Sequence, residues 1–138
     1  MKRALITIAV AAILGGCWGA PPNEQILDQQ CQDLFGDDAR TLGMIKNQAE
    51  SDLAGFCGCY ASKTVQANGL IDKHKDMLVT MNELKKNGGD VESAAEQIED
   101  MTKDGRITTF TEAEFEALGD FFQELSGEMG SAGGACPA

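Results

Sequence analysis

Apolar residues recur at spacings of three and four along most of this 138-residue chain, which is the period of an amphipathic α-helix. The cleanest stripe includes Leu70, Met77 and Leu84, and it ends before the pair Gly88-Gly89. No long stretch alternates apolar and polar residues, as a half-buried β-strand would. The pattern therefore predicts an all-α fold, a small bundle of about five helices.

The predicted helices are bounded by capping residues and by glycines. The second segment contains Gly43, Ser51 and Gly55, which weaken it, so that it forms either one bent helix or two. The predicted segments cover residues 23–35, a run from Asp37 or Asp38 to Asn68-Gly69, residues 70–86, 91–101 and 112–129. The last helix has the clearest start, because Thr111 and Glu114 match a capping box. Phe110 and Phe115 occupy the two hydrophobic-staple positions around that box.

The length and the net charge limit the number of domains and the kinds of partner. A chain of 138 residues with 43% hydrophobic residues accommodates one globular domain. The formal net charge is −11, and residues 90–128 alone hold twelve acidic and two basic residues. Nucleic acids and anionic lipid headgroups are bound through cationic surfaces, so we expect no nucleic-acid partner.

The N-terminal residues have the order of a secretory signal. Met1-Lys2-Arg3 is a cationic head, and residues 4–14 are an apolar run of eleven residues. A membrane-spanning helix needs about 20 apolar residues, whereas the apolar region of a signal peptide needs only about 7–15. The segment therefore predicts export.

The stretch Leu14-Gly15-Gly16-Cys17 follows this apolar run and resembles the lipobox of bacterial lipoproteins. The resemblance implies that residues 1–16 are a lipoprotein signal peptide, and that the mature chain begins at Cys17 with a diacylglycerol on its sulfur. It also implies acylation of the new amino group, as with palmitate, so the covalent lipid is the only attached group we expect. Trp18 is not the aspartate that favours inner-membrane retention. The resemblance thus implies an outer-membrane lipoprotein with its domain in the periplasm.

The domain organisation follows from this reading. Residues 17–22, with Pro21-Pro22, predict a short lipid-anchored tether. Residues 23–129 form the predicted helical domain, and residues 130–138 form a small-residue tail that Cys136 would tie down.

Four cysteines remain once Cys17 is assigned to lipid, and an even number in an exported chain predicts two disulfides. Residues two apart on a helix point about 200° apart, so Cys57 and Cys59 should not bond to each other. The helical wheel favours Cys31–Cys57 inside the bundle and Cys59–Cys136 at its edge. The pairing of Cys31 with Cys59 and of Cys57 with Cys136 remains open.

The Cys57-Gly58-Cys59 stretch also has a functional interpretation, as a thiol–disulfide exchange site or as half of a soft-metal site. A redox site needs an exposed sulfur with a lowered pKa, and the more familiar spacing is Cys-x-x-Cys. We therefore interpret the cysteines as structural, with a redox protein using Cys57 and Cys59 as one alternative.

Residues 100–112 resemble a calcium loop of the EF-hand family. Asp100 and Asp104 match the first and fifth positions of the loop, and Thr102 replaces the usual Asp or Asn at the third. The twelfth position needs a bidentate Glu but holds Thr111, and Glu112 comes one residue late. A calcium-binding module using these residues is a second alternative, while the preferred prediction is that no metal is bound.

No motif for a catalytic nucleophile, a phosphate loop or a dinucleotide fingerprint occurs, and His74, the only histidine, lies on an apolar stripe. A copper site of His74 with Met77 and Met81 is conceivable, but the stripe favours a core histidine. We therefore expect a non-enzymatic envelope lipoprotein without a cofactor. It would act through contact with another envelope protein or in a structural role.

Overall fold

The computed structural model describes residues 22–67 and 69–138, and all regular secondary structure within them is α-helical, which confirms the all-α prediction. The predicted signal peptide, Cys17 and the tether up to residue 21 lie outside the described residues. The helices are α1 Pro22–Phe35, α2 Ala39–Asn47, α3 Leu53–Gln66, α4 Ile71–Lys86, α5 Val91–Lys103 and α6 Glu112–Ser131.

The described residues contain six helices, not five, because the second predicted segment divides into α2 and α3. Asp38 caps α2, and its side chain accepts a hydrogen bond from the Thr41 amide at 2.7 Å. Between the two helices Glu50 has a φ of 50°, a left-handed conformation that breaks the helix. Asp52 then caps α3 and accepts from the Gly55 amide at 2.7 Å. The segment is therefore two helices, since it has a second N-cap of its own.

Two predicted boundaries shift by one or two residues. The first helix begins at Pro22, so Asn23 is inside the helix and the predicted tether loses its last residue. Proline is favoured in the first turn, because its missing N–H would have no partner there. The last helix continues to Ser131, two residues into the predicted tail.

Asp90 caps α5, and the capping box predicted at the start of α6 is confirmed. Asp90 accepts a hydrogen bond from the Ser93 amide at 2.8 Å, and the Ser93 hydroxyl accepts one from the Asp90 amide at 3.0 Å. Thr111 and Glu114 form the predicted capping box. The rings of Phe110 and Phe115 stack with their centroids 6.2 Å apart, as expected for a hydrophobic staple.

Helices α1 and α4 lie side by side and run in the same direction. The Lys75 ammonium reaches the Asn23 side chain at 3.2 Å, and eleven residues later in α1 the Leu34 carbonyl accepts from Lys85 at 2.7 Å. Lys85 also pairs with Asp37 just after α1. A cation at the C-terminal end of α1 stabilises the free carbonyls of its last turn.

Tyr60 of α3 is at the centre of the core and is fully buried. Its ring lies 4.6 Å from that of Phe122 in α6, and Phe122 in turn contacts Phe35 of α1 edge to face at 5.1 Å. Phe56 of α3 is also fully buried and stacks on Phe122 at 6.0 Å. Most of the other large core side chains are aliphatic. They are Leu27, Leu34, Ile45, Met77, Leu78, Ile98, Leu118, Leu125 and Met129. One continuous core thus joins all six helices.

Replacement of glycine by alanine should have opposite effects on stability at two positions of α6. A Cβ at Gly119 would meet no atom within 4 Å, so Gly119→Ala should raise the free energy of unfolding by about 0.5–1 kcal/mol through helix propensity. A Cβ at Gly130 would overlap the Gln48 carbonyl, so Gly130→Ala should lower that free energy by about 1–3 kcal/mol. Urea unfolding of both variants measures the two changes in the free energy of unfolding. Shifts of the same sign would contradict the close approach of α6 to the α2–α3 connection.

Candidate functional site

Two disulfides hold the bundle together. Cys31 of α1 bonds to Cys57 of α3 with their Cα atoms 5.6 Å apart. Cys59 bonds to Cys136 in the segment after α6, with Cα atoms 5.4 Å apart. This is the pairing that the helical wheel favours. The other pairing is excluded because Cys57 points toward α1 and Cys59 points away from it.

The sulfurs of Cys57 and Cys59 are both protected. Cys31 and Cys57 are completely buried, Cys59 is 4% exposed, and only Cys136 lies on the surface. Each cysteine of the Cys-x-Cys stretch bonds to a different helix or segment, so the two do not form one dithiol pair. A thiol-exchange site needs an accessible sulfur beside its resolving partner, which this arrangement does not provide.

The segment after α6 runs back over α3. Gly134 lies against the Glu50 carbonyl, where a Cβ would overlap, and the Lys63 ammonium donates to the Ala138 carbonyl at 2.9 Å. Cys136 is covalently bonded between these two contacts. The segment therefore covers the start and middle of α3.

His74 is a core residue and is 4% exposed. Its Nδ1 lies 2.8 Å from the Tyr60 hydroxyl, and the two rings stack at 5.7 Å. Burial lowers the pKa of His74 to about 4 and raises that of Tyr60, so both side chains are neutral at pH 7. Phe121 contacts His74 edge to face. The imidazole thus contributes to packing and to a buried hydrogen bond.

Three of the four calcium candidates have other partners in the structure. Asp104 ends α5 and pairs with Arg106 at 3.1 Å, and Glu112 pairs with Lys103 at 3.2 Å. The Thr102 hydroxyl donates to a backbone carbonyl of its own helix, and Asp100 is an exposed residue of α5. Within residues 22–67 and 69–138, no three His, Cys, Asp or Glu side chains are grouped as metal ligands would be. The structure does not bring the candidates together.

We expect calcium at about millimolar concentration, in physiological salt, to leave the melting temperature almost unchanged. A loop that binds one ion directly would stabilise the fold by about 2.7 kcal/mol at a hundredfold excess over Kd. Scanning calorimetry with calcium and with magnesium tests this expectation, with Asp104→Ala as the control. A shift with calcium alone that Asp104→Ala abolishes would restore the calcium alternative.

An open groove of about 1070 Å³, which the sequence did not predict, lies between α2 and α5 and reaches α6 at Gln123. Its lining includes the half-buried apolar residues Met44, Val91 and Ala95, which pack on the core. Gly43 also lines it, and no atom lies within 4 Å of where its Cβ would be. The sequence feature that could have indicated this groove is Gly43, a glycine inside an amphipathic helix.

No protein-family model matches this chain, and it matches neither a curated protein nor a solved structure. Among the described helices, none combines the length and the apolar character needed to cross a bilayer. Function is therefore inferred from the residues of this chain alone.

Proposed function

We propose that the protein is a bacterial envelope lipoprotein, anchored by lipid at Cys17 on the periplasmic face of the outer membrane. Its helical domain would act without catalysis, through contact with another envelope protein or in a structural role. The observation that carries the proposal is Leu14-Gly15-Gly16-Cys17, placed directly after a cationic head and an apolar run. One acyl chain binds membranes only marginally, so two or three chains at Cys17 would make the anchoring stable.

The cysteine content supports export. Four of the five cysteines form two disulfides in the structure, and the fifth is Cys17. Stable disulfides are typical of oxidising compartments such as the bacterial periplasm. The assignment of Cys17 to lipid is consistent with this arithmetic, because it leaves an even number of cysteines to pair.

The parallel arrangement of α1 and α4 suggests how such a domain would be oriented relative to the membrane. Pro22, the start of α1, lies five positions after Cys17, and a chain of that length spans at most about 17 Å. A lipid at Cys17 would therefore keep the N-terminal ends of α1 and the parallel α4 near the bilayer. The groove lies between α2 and α5, which begin within five residues of the C-terminal ends of α1 and α4. Those ends are about 20 Å from the N-terminal ends of the same helices. The groove would then lie at the end of the bundle distant from the membrane, where a periplasmic partner can reach it.

Replacing the lipidated cysteine tests the proposal. We expect Cys17→Ser to release the domain in soluble form or to leave the precursor uncleaved, because both acylation and cleavage need the sulfur. Membrane fractionation and intact mass, before and after reduction, measure lipidation and the number of disulfides together. Cys136→Ser is the matched control, since it removes a cysteine and should leave the anchor in place. A Cys17→Ser protein that is processed, acylated and membrane-bound would refute the anchor.

A further inference from the structure

We propose that the groove between α2, α5 and α6 binds an amphipathic, positively charged helix of another envelope protein. This inference rests on the interaction role proposed for the domain and names the surface and the chemistry of the partner. Its three supports are the shape of the groove, its charge and the exposed ion pair at its edge.

The shape of the groove suits a helix. A helix with its side chains is about 10–12 Å across and rises about 5.4 Å per turn, so 1070 Å³ corresponds to about two turns. Gly43 and Ala95 are small residues on the two facing helices, and small residues permit close approach of a third. Met44 and Val91 provide apolar surface for its buried face. The groove is open along its length, whereas small-molecule sites enclose most of their ligand.

The charge around the groove favours a cationic occupant. The described residues contain all 22 acidic residues but only nine of the eleven basic ones, because Lys2 and Arg3 lie outside, which gives a net charge of −13. Asp120, one turn before Gln123 on α6, is exposed, as is Glu96 on α5. A second copy of this chain or an anionic lipid surface would be repelled, whereas a cationic segment would be attracted and oriented.

An exposed ion pair lies at the edge of the groove. Arg40 of α2 pairs with Glu92 of α5 at 2.6 Å, and their side chains are 82% and 66% exposed. Such a pair contributes little to stability and exchanges partners readily. Among the described residues lining the groove, Arg40 is the only cationic one. A lysine or arginine of the partner can therefore replace Arg40 beside Glu92 without leaving a buried charge unpaired.

The groove has room for a Cβ at Gly43, which permits a sharp test. Gly43→Trp places an indole in the groove, and Gly58→Trp is the matched control on α3, because neither added Cβ meets an atom within 4 Å. The probe is a fluorescent Lys/Leu amphipathic peptide of about 18 residues, and its Glu/Leu counterpart reverses the charge. Fluorescence anisotropy is measured on the full-length processed protein in non-ionic detergent at about 150 mM salt, with detergent alone as the blank.

We expect the Lys/Leu peptide to bind, Gly43→Trp to weaken that binding by at least about tenfold, and Gly58→Trp to leave it unchanged. Carbodiimide coupling should join peptide lysines to carboxylates of α5 and α6 beside the groove. Equal binding by both variants would show nonspecific attraction to an acidic surface and would overturn the proposal. Binding of the Glu/Leu peptide, or self-association that Gly43→Trp abolishes, would overturn the choice of a cationic partner. Loss of the anchor with intact groove binding would refute only the lipoprotein assignment.

Discussion

Removing the disulfide between Cys59 and Cys136, by replacing both residues with alanine, should lower the free energy of unfolding by about 4–5 kcal/mol. The two residues are 77 apart in sequence, and in the chain-entropy model a longer loop loses more freedom when it is closed. Domains of this size have about 5–15 kcal/mol of stability in total, so the loss is large. Urea unfolding of the oxidised wild type and the double variant measures it.

The double replacement of Cys31 and Cys57 is the matched comparison. Its loop of 26 residues is shorter, for which the same model gives about 3.5 kcal/mol. Both sulfurs are fully buried, so their removal adds a packing loss of about 1 kcal/mol and brings the two variants close together.

Local readouts separate the two variants. Without Cys59–Cys136, the near-ultraviolet circular dichroism of the aromatic core should be unchanged, while the segment after α6 becomes sensitive to protease. Without Cys31–Cys57, the signal of the core should itself change, because that disulfide lies within the core. A loss below about 1 kcal/mol for the Cys59–Cys136 variant would show that the C-terminal segment does not stabilise the bundle.

The second large effect is a dependence of stability on pH between about 4 and 6.5, caused by His74. Burial lowers the pKa of the folded imidazole to about 4 from its ordinary 6.5, so within this range the unfolded chain binds the proton more tightly. The contribution of His74 to the free energy of unfolding is fully present above pH 6.5 and is lost as the pH falls toward 4. Its full size is about 3 kcal/mol.

His74→Gln provides the control, because glutamine can keep a hydrogen bond to Tyr60 but does not titrate. Its stability should be nearly flat over the same range. His74 is the only histidine, so its single imidazole signal in NMR reports the folded pKa directly. The carboxyls of Asp90 and Glu114 have pKa values lowered by their capping hydrogen bonds, so their effect appears at lower pH. Titration of His74 near 6.5 in the folded protein would contradict the expected effect.

Helix starts were predictable from sequence because caps are local interactions. Asp90 and Thr111 accept hydrogen bonds from backbone amides three residues later, so residue type and spacing are sufficient to place them. The division of the second segment was less certain. It depends on the left-handed conformation of Glu50, a residue type with no strong preference for it. Contacts of that connection with α6 at Gly130 hold it in place.

For the cysteines too, the sequence was sufficient where the outcome depends on local helix geometry, and insufficient where it depends on tertiary packing. Helical geometry alone excluded a bond between Cys57 and Cys59, since their side chains diverge on one helix. It left two pairings for Cys31 and Cys136, because the choice depends on which face of α3 packs against α1.

By itself the sequence determined the helical class and most helix ends. Each of these depends on residues close together in the chain. Only the tertiary structure decided the pairing of Cys31 with Cys57 and the groove beside Gly43. These features depend on how helices distant in sequence cross and pack, and the apolar stripes that drive the packing do not specify which neighbour each face meets.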